Sequence, residues 1–432
     1  MKNWWWLWLG LLSSGTWATP VIQHWQTANG ARVYFVQAMD LPIVDVQVVF
    51  NAGSARDNGR YGIAALTNGL LNEGAGGYSA DQIAEQFENV GAQFSNSAGR
   101  DTASVSLRSL SDAQLLQPAC DLLAILLTRP EFAEIPFKRV QQQMLAGLAY
   151  QKQSPATLAS NAFYRAIYGD NHPYAISSSG TVETVKTLTS EEVRAFHTRY
   201  YVAKNAVVAI VGALERAAAE NLANTLVGKL PSGEVPPPIA AVAELSQGQT
   251  LHIDYPSTQT SILVGQPGIA RLDPDYFTLY VGNHILGGDG LISRLGKDIR
   301  EQRGLTYSVY SYFVPLRVAG PFSVDLQTRN AQVDTALQLV KKALQDFVEQ
   351  GPTAAELQQT QRDITGGFPL RIDSNSDIVG YLTVIGFYGL PLDYLDKFNE
   401  RIEAVTVDKI KGDFKRHLHL DKLIIVTVGS KS

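Results

Sequence analysis

Cysteine is almost absent. Cys120 stands alone in 432 residues, which excludes an internal disulfide and any thiolate metal cluster. Tryptophan is scarce too, since five of the six lie in the leader and only Trp25 lies beyond it. No later apolar run reaches the roughly 18 residues that a membrane span needs. Nor is there a basic excess. Without Lys2, 35 Lys and Arg face 41 Asp and Glu, a net charge of −6, which argues against nucleic-acid or anionic-membrane partners.

What is present starts with MKNWWWLWLGLLSSGTWATP: one Lys, a short apolar run, then small residues. This predicts a secretory signal peptide over residues 1–18, cleaved after Ala18, with a retained anchor as the alternative. A signal peptide with no disulfide framework suits the bacterial periplasm, and cleavage leaves no transmembrane anchor.

The rest of the chain is written twice. TLTSEEVRAFHTRYYVAKNAVVAIVGA begins at Thr187 and AVTVDKIKGDFKRHLHLDKLIIVTVGS at Ala404. Without gaps, Thr189 falls on Thr406, Val193 on Ile410, Val207 on Ile424 and Gly212 on Gly429, each pair 217 residues apart. Each copy reads as a short amphipathic helix, a turn and a buried strand ending in Val-Gly. NGLLNEG (68–74) and NHILGGDG (283–290) repeat at nearly the same offset. Two homologous domains are expected, 19–227 and 250–432, joined by a Pro- and Ala-rich linker at 228–249 that would serve as a flexible hinge. Strands such as PIVDVQVVFNAG and TASVSLRSL, then helices such as SADQIAEQFENVGA with its Ser-x-x-Gln capping box, give the fold class. It is α+β, each domain an antiparallel sheet with helices on one face.

The stretch YGIAALTNGLLNEG carries the chemical question. At 100° per residue, Ile63, Leu66, Thr67 and Leu70 form a core stripe, while Ala65, Asn68, Gly69 and Asn72 form an opposite face that is small and neutral. A metal-binding helix places two His at i and i+4 with a Glu between them. Here Ala65, Asn68 and Gly69 hold those three places. No two of the seven histidines are spaced i, i+4. His417 and His419, near a helix end, suit solvated or capping roles, and His172 reads as a hydrogen-bonded turn histidine.

AGSARDNGRYGIAALTNGLLNEGAGG resembles the pitrilysin, insulysin and mitochondrial-processing-peptidase family of zinc peptidases, whose inverted H-x-x-E-H motif lies on this helix. NHPYAISSSGTVETVKTLTSEEVRAFHTRYYVAKNAVVAIVG (171–212) and ISRLGKDIREQRGLTYSVYSYF (292–313) extend the resemblance in the same order. It implies the duplicated fold, with its two domains forming a chamber. By position, the two ligand His become Ala65 and Gly69, and the Glu becomes Asn68. A third ligand, a Glu on a later helix, would fall in QQQMLAGLAYQKQSP (141–155), which has no acidic residue. No metal site is therefore expected in this chain.

GGDGLISRLGKDIREQRGLTYSVYSY reads as a Gly-rich loop, a helix over about 291–303, Gly304 as terminator, and a strand. The resemblance implies that Arg300 holds the substrate backbone and that Tyr307, on that strand, donates to the scissile carbonyl oxygen. The residues alone favour a helix-end arginine for Arg300 and a half-buried strand aromatic for Tyr307, and the resemblance reverses that preference. Some family members divide these parts between two chains. The resemblance thus implies a non-catalytic subunit with an H-x-x-E-H partner that carries the zinc, acting on a peptide substrate. A scaffold protein of the same fold is the alternative. An independent zinc protease would need another metal site.

Overall fold

A computed structural model describes residues 19–431. The expected signal peptide, residues 1–18, lies outside the described residues. Among those described, no helix is long and apolar enough to cross a membrane.

The alternating strands of the first half are β1 (Gln23–Gln26), β2 (Arg32–Gln37) and β3 (Ile43–Phe50), a two-residue hairpin β4 (Gly74–Ala75) and β5 (Tyr78–Ser79), then β6 (Gln93–Ala98), β7 (Ala103–Leu110) and β8 (Ala206–Gly212). Those of the second half are β9 (Gln249–Asp254), β10 (Gln259–Pro267), β11 (Val309–Phe313), β12 (Pro321–Arg329) and β13 (Ile424–Gly429). Sheet one runs β1-β2-β8-β3-β7-β6 and sheet two β11-β12-β10-β13-β9. Both are antiparallel except for one parallel pair, β2 with β8 and β9 with β13. That pair is in the same register in both sheets. Arg32 faces Val207, Gln249 faces Ile424, and each residue of the second pair lies 217 positions after its counterpart. Thr189 and Thr406 each cap the helix before the last strand. The duplication is therefore structural, with β1 as an extra edge strand in the first half.

One expectation needs refinement. Helices cover one face of each sheet, but a single helix also crosses to the inner face of the other sheet. Helix Pro155–Tyr168 of the first half packs on β10 and β13, burying Ala159, Phe163 and Ile167 against Leu263, Ile424, Val426 and Val428. Helix Asn375–Tyr388 of the second half packs on β2, β3 and β8, with Leu382 and Ile385 in one core with Tyr34, Val207 and Ala209. Its close seat explains Gly386. A Cβ there would lie 2.6 Å from both Tyr34 and Val207, and Arg32 Nη1 donates to the Gly386 carbonyl at 2.8 Å.

The stretch 228–248 has neither helix nor strand, yet it is a packed strap rather than a loose hinge. Buried Arg56 donates through Nη1 to the Pro237 carbonyl at 2.7 Å, and His172 Nε2 donates to the Ala240 carbonyl at 3.2 Å. Ile239 is buried between them. Buried Asp101 ties the halves further. It accepts from the Tyr174 hydroxyl, from the Arg317 amide at 2.8 Å and from the Tyr388 hydroxyl at 3.0 Å.

Candidate functional site: a degenerate metal motif and an exposed Arg–Tyr pair

Helix Ile63–Gly69 starts at Gly62, whose φ of 97° favours glycine. A Cβ at Gly62 would also meet Val185 at 2.8 Å and Met144 at 3.0 Å. The helix has no N-cap side chain of its own. Buried Asp57 substitutes, accepting from the Gly62 amide at 2.7 Å and the Ala64 amide at 3.1 Å. Burial pushes the Asp57 carboxyl up to about 8, against the opposing pull of these two amides.

The small face of this helix is not an open surface. Asn68 is 2% exposed, while Ala65, Gly69 and Asn72 are half-buried. The helix is enclosed because it packs against the helices Ser190–Tyr200 and Glu134–Gln151 as well as β6 and β7. The Asn68 amide nitrogen donates to the Ser104 carbonyl at 3.1 Å and to the Tyr201 hydroxyl at 3.3 Å. Asn96 Nδ2 donates back to the Asn68 carbonyl at 2.7 Å and to Asn72 Oδ1 at 3.3 Å. The amide that replaces the expected carboxylate is thus a structural anchor.

These residues do not suit zinc. Ala65 and Gly69 offer no donor atom, and the Asn68 amide nitrogen is turned to other groups. The later helix supplies only carbon here: Val140 is 3.9 Å from where a Gly69 Cβ would stand, and Met144 borders Gly62. The nearby polar group, Gln141, is buried and donates to the Val185 and Leu188 carbonyls at 2.8 and 3.1 Å.

The histidines singled out in the sequence do not supply a metal site either. His172 Nδ1 accepts from the Tyr174 amide at 3.1 Å, as a turn histidine should. His417 Nε2 contacts Asp275 Oδ2 at 2.8 Å, and His419 contributes only its backbone amide, to Gln266 at 3.0 Å. Asp273, Asp275 and His417 cluster, but the Arg416 guanidinium bonds Asp275 and already supplies the cation.

Arg300 and Tyr307 come together. The guanidinium carbon lies 5.5 Å from the centre of the tyrosine ring, and Tyr307 is 89% exposed. Two local expectations change. Arg300 sits on a wide π-helical turn, Gly296–Glu301, rather than on a helix over 291–303, and Tyr307 lies in the loop before β11 rather than on it. The wide turn follows from the Gly-rich loop. A Cβ at Gly296 would stand 1.9 Å from the Gly290 carbonyl oxygen, so only glycine permits this approach. Gly304, φ 60°, reverses the chain as expected. Arg303 and Asp298 pair with each other, and Glu301 is exposed. No hydrogen bond among the described residues joins this pair to the Asn68 group.

Fold and site together define a duplicated α+β protein of peptidase design without the residues that hold a metal. The family described as Peptidase M16 inactive domain matches residues 187–364, and Insulinase (Peptidase family M16) matches residues 32–178. A crystal structure described as the peptidase M16 inactive domain from Pseudomonas fluorescens is 42% identical, with a TM-score of 0.92 over 95% of this chain and 98% of that one. The Helicobacter pylori protein named non-peptidase homolog YmxG is 26% identical over 94% of each chain. An uncharacterized zinc protease of Streptomyces coelicolor is 27% identical over 79% of this chain and 75% of its own. The chain belongs to the peptidase M16 (insulinase) family.

Proposed function

We propose that this chain is the non-catalytic subunit of a heteromeric zinc metallopeptidase of the periplasm. It binds peptide and completes the active site of an H-x-x-E-H partner. One observation carries the reading: the metal-binding positions are converted to packing, while Tyr307 stays uncovered and paired with Arg300. A phenol that exposed contributes little to the fold. In the assembled enzyme Tyr307 would offer its hydroxyl to the scissile carbonyl oxygen, and Arg300 would hold the peptide backbone. The zinc belongs to the partner. The Helicobacter relative's name, non-peptidase homolog, favours the alternative of a scaffold with no part in proteolysis.

The test is to purify the chain alone and with an H-x-x-E-H homologue from the same genome, then assay peptide cleavage and zinc. The pair is expected to cleave and the single chain to be inert. Tyr307→Phe should lower kcat about 100-fold, the scale for one lost oxyanion donor, without separating the subunits. Zinc-dependent cleavage by the single chain would overturn the reading, and failure to bind any such homologue would leave the scaffold.

A further inference from the structure

The inner face of sheet two has a polar end beyond the helix that crosses to it. Leu263 shares a buried cluster with Phe163 of that helix, so Leu263 marks the face turned toward the first half. Cα pairing carries its row outward, from Leu263 to Asp325 to Tyr310. Directly paired residues point to the same side of a sheet, so Asp325 and Tyr310 lie on that inner face, with Tyr312 two residues along.

Tyr310 and Tyr312 stack with ring centres 5.8 Å apart and planes 23° from parallel. Both rings are exposed, and so is Asp325. Among the described residues, no hydrogen bond or ion pair engages the Asp325 carboxylate. Burial alone pushes it upward, with no cation to offset the effect. The phenol of Tyr312 is raised by burial, by Tyr310 and by the Asp325 charge, which places that charge beside the ring pair. Asp325 thus presents an unpaired carboxylate beside two exposed aromatic rings on the same face. The matching row of sheet one is uncharged, with Ser106 in the place of Asp325 and Ser95 in that of Tyr310.

We propose that Asp325, Tyr310 and Tyr312 form a subsite for a basic side chain, Arg or Lys, of a peptide extended along the inner face. The inference rests on the peptide-binding reading above and adds a substrate class to it. Tyrosine faces attract cations, and a carboxylate pairs with a guanidinium or an ammonium. One carboxylate is too few for a divalent ion, which takes several oxygen ligands.

Fluorescence anisotropy of the full chain with two labelled peptides tests it. Each is a short Ala/Ser/Thr host, one with a central Arg and one with Gln in its place. At low salt the Arg peptide should bind about tenfold more tightly, the scale of one such contact. Asp325→Asn should erase that preference, Asp325→Lys should transfer it to a Glu peptide, and Tyr310→Ala should reduce it. Equal binding of both peptides by the natural chain would overturn the subsite and leave the peptide-binding reading intact. Binding of neither would remove both. A capped arginine amide that binds as tightly as the peptide would overturn the peptide as the ligand.

Discussion

The two halves share one sheet topology and use it differently. In the first, Asn96 Nδ2 on β6 donates to the main-chain carbonyl of Asn68, on the helix at the sheet edge, while the Asn68 side chain donates to Ser104 and Tyr201. In the second, Asn283 engages Ser311 on β11, with Asn283 Nδ2 donating to the Ser311 carbonyl at 2.9 Å and Ser311 Oγ donating to Asn283 Oδ1 at 2.7 Å. Strand pairing makes Asn96 and Ser311 equivalent. Each stands opposite a valine (Val105, Val324) that pairs with the central strand at Val48 and Val264. The position where relatives of this fold are expected to keep a catalytic Glu thus carries a hydrogen-bonded asparagine in both halves, its side chain tied to Ser104 and Tyr201 in the first and to Ser311 in the second. The family's chemistry has been replaced by the duplicate's architecture. What differs is the second half's exposed side chains, Tyr307, Tyr310, Tyr312 and Asp325, with half-buried Arg300 beside the first of them.

The largest expected effect comes from the joint between the halves. Asp101→Ala leaves two phenols and one amide without their acceptor. It should cost about 3 kcal/mol in denaturant unfolding, at roughly 1 kcal/mol or more per unsatisfied buried group. A loss under about 1 kcal/mol would mean that Asp101 is not a principal tie between the halves. Next is the crossing helix. Gly386→Ala should cost about 2 kcal/mol by overpacking Tyr34 and Val207. Gly380→Ala in the same helix, with nothing within 4 Å of its Cβ, should instead stabilise by about 0.5–1 kcal/mol.

Acid separates the halves as well. His197 stacks on Tyr201 at 4.8 Å and its Nε2 lies 3.0 Å from the Leu127 carbonyl, where burial depresses it to about 4. The repeat places Phe414 at this position. A base depressed below its unfolded value of about 6.5 gives full stability above that pH, and this is lost as pH falls toward 4. Thermal melts should therefore show a loss on the order of 2 kcal/mol over that window, and His197→Phe should flatten it. The smallest effect sharpens the equivalence: Asn68→Ala and Asn283→Ala should each cost about 1–2 kcal/mol and agree within about 0.5 kcal/mol. A much larger cost at Asn68 would show that the two anchors are not interchangeable.

The duplication was legible because capping threonines and strand-ending glycines recur at one spacing. The missing metal ligands were legible because donor atoms can be counted from residue types. The crossing helices were not. Pro155–Tyr168 and Asn375–Tyr388 are ordinary apolar helices, and nothing in their periodicity names the sheet they cover. The burial of Asn68 was not legible because its hydrogen-bond acceptors lie 36 and 133 residues away. The strap at 228–248 read as flexible because proline and alanine composition carries no mark of the Arg56 and His172 side chains that hold its carbonyls. Likewise, spacing near 3.6 cannot distinguish an α-helix from the wide turn beneath Arg300.

The exchange of helices also sets a timetable for synthesis. Sheet one has all its strands once Gly212 is made, but the helix that shields its inner face ends at Tyr388, roughly 175 residues later. At about 5–20 residues per second that face would wait on the order of ten to thirty seconds for its cover. During that interval the nascent first half is an incomplete folding unit with bare β-branched side chains, a client for a holding chaperone.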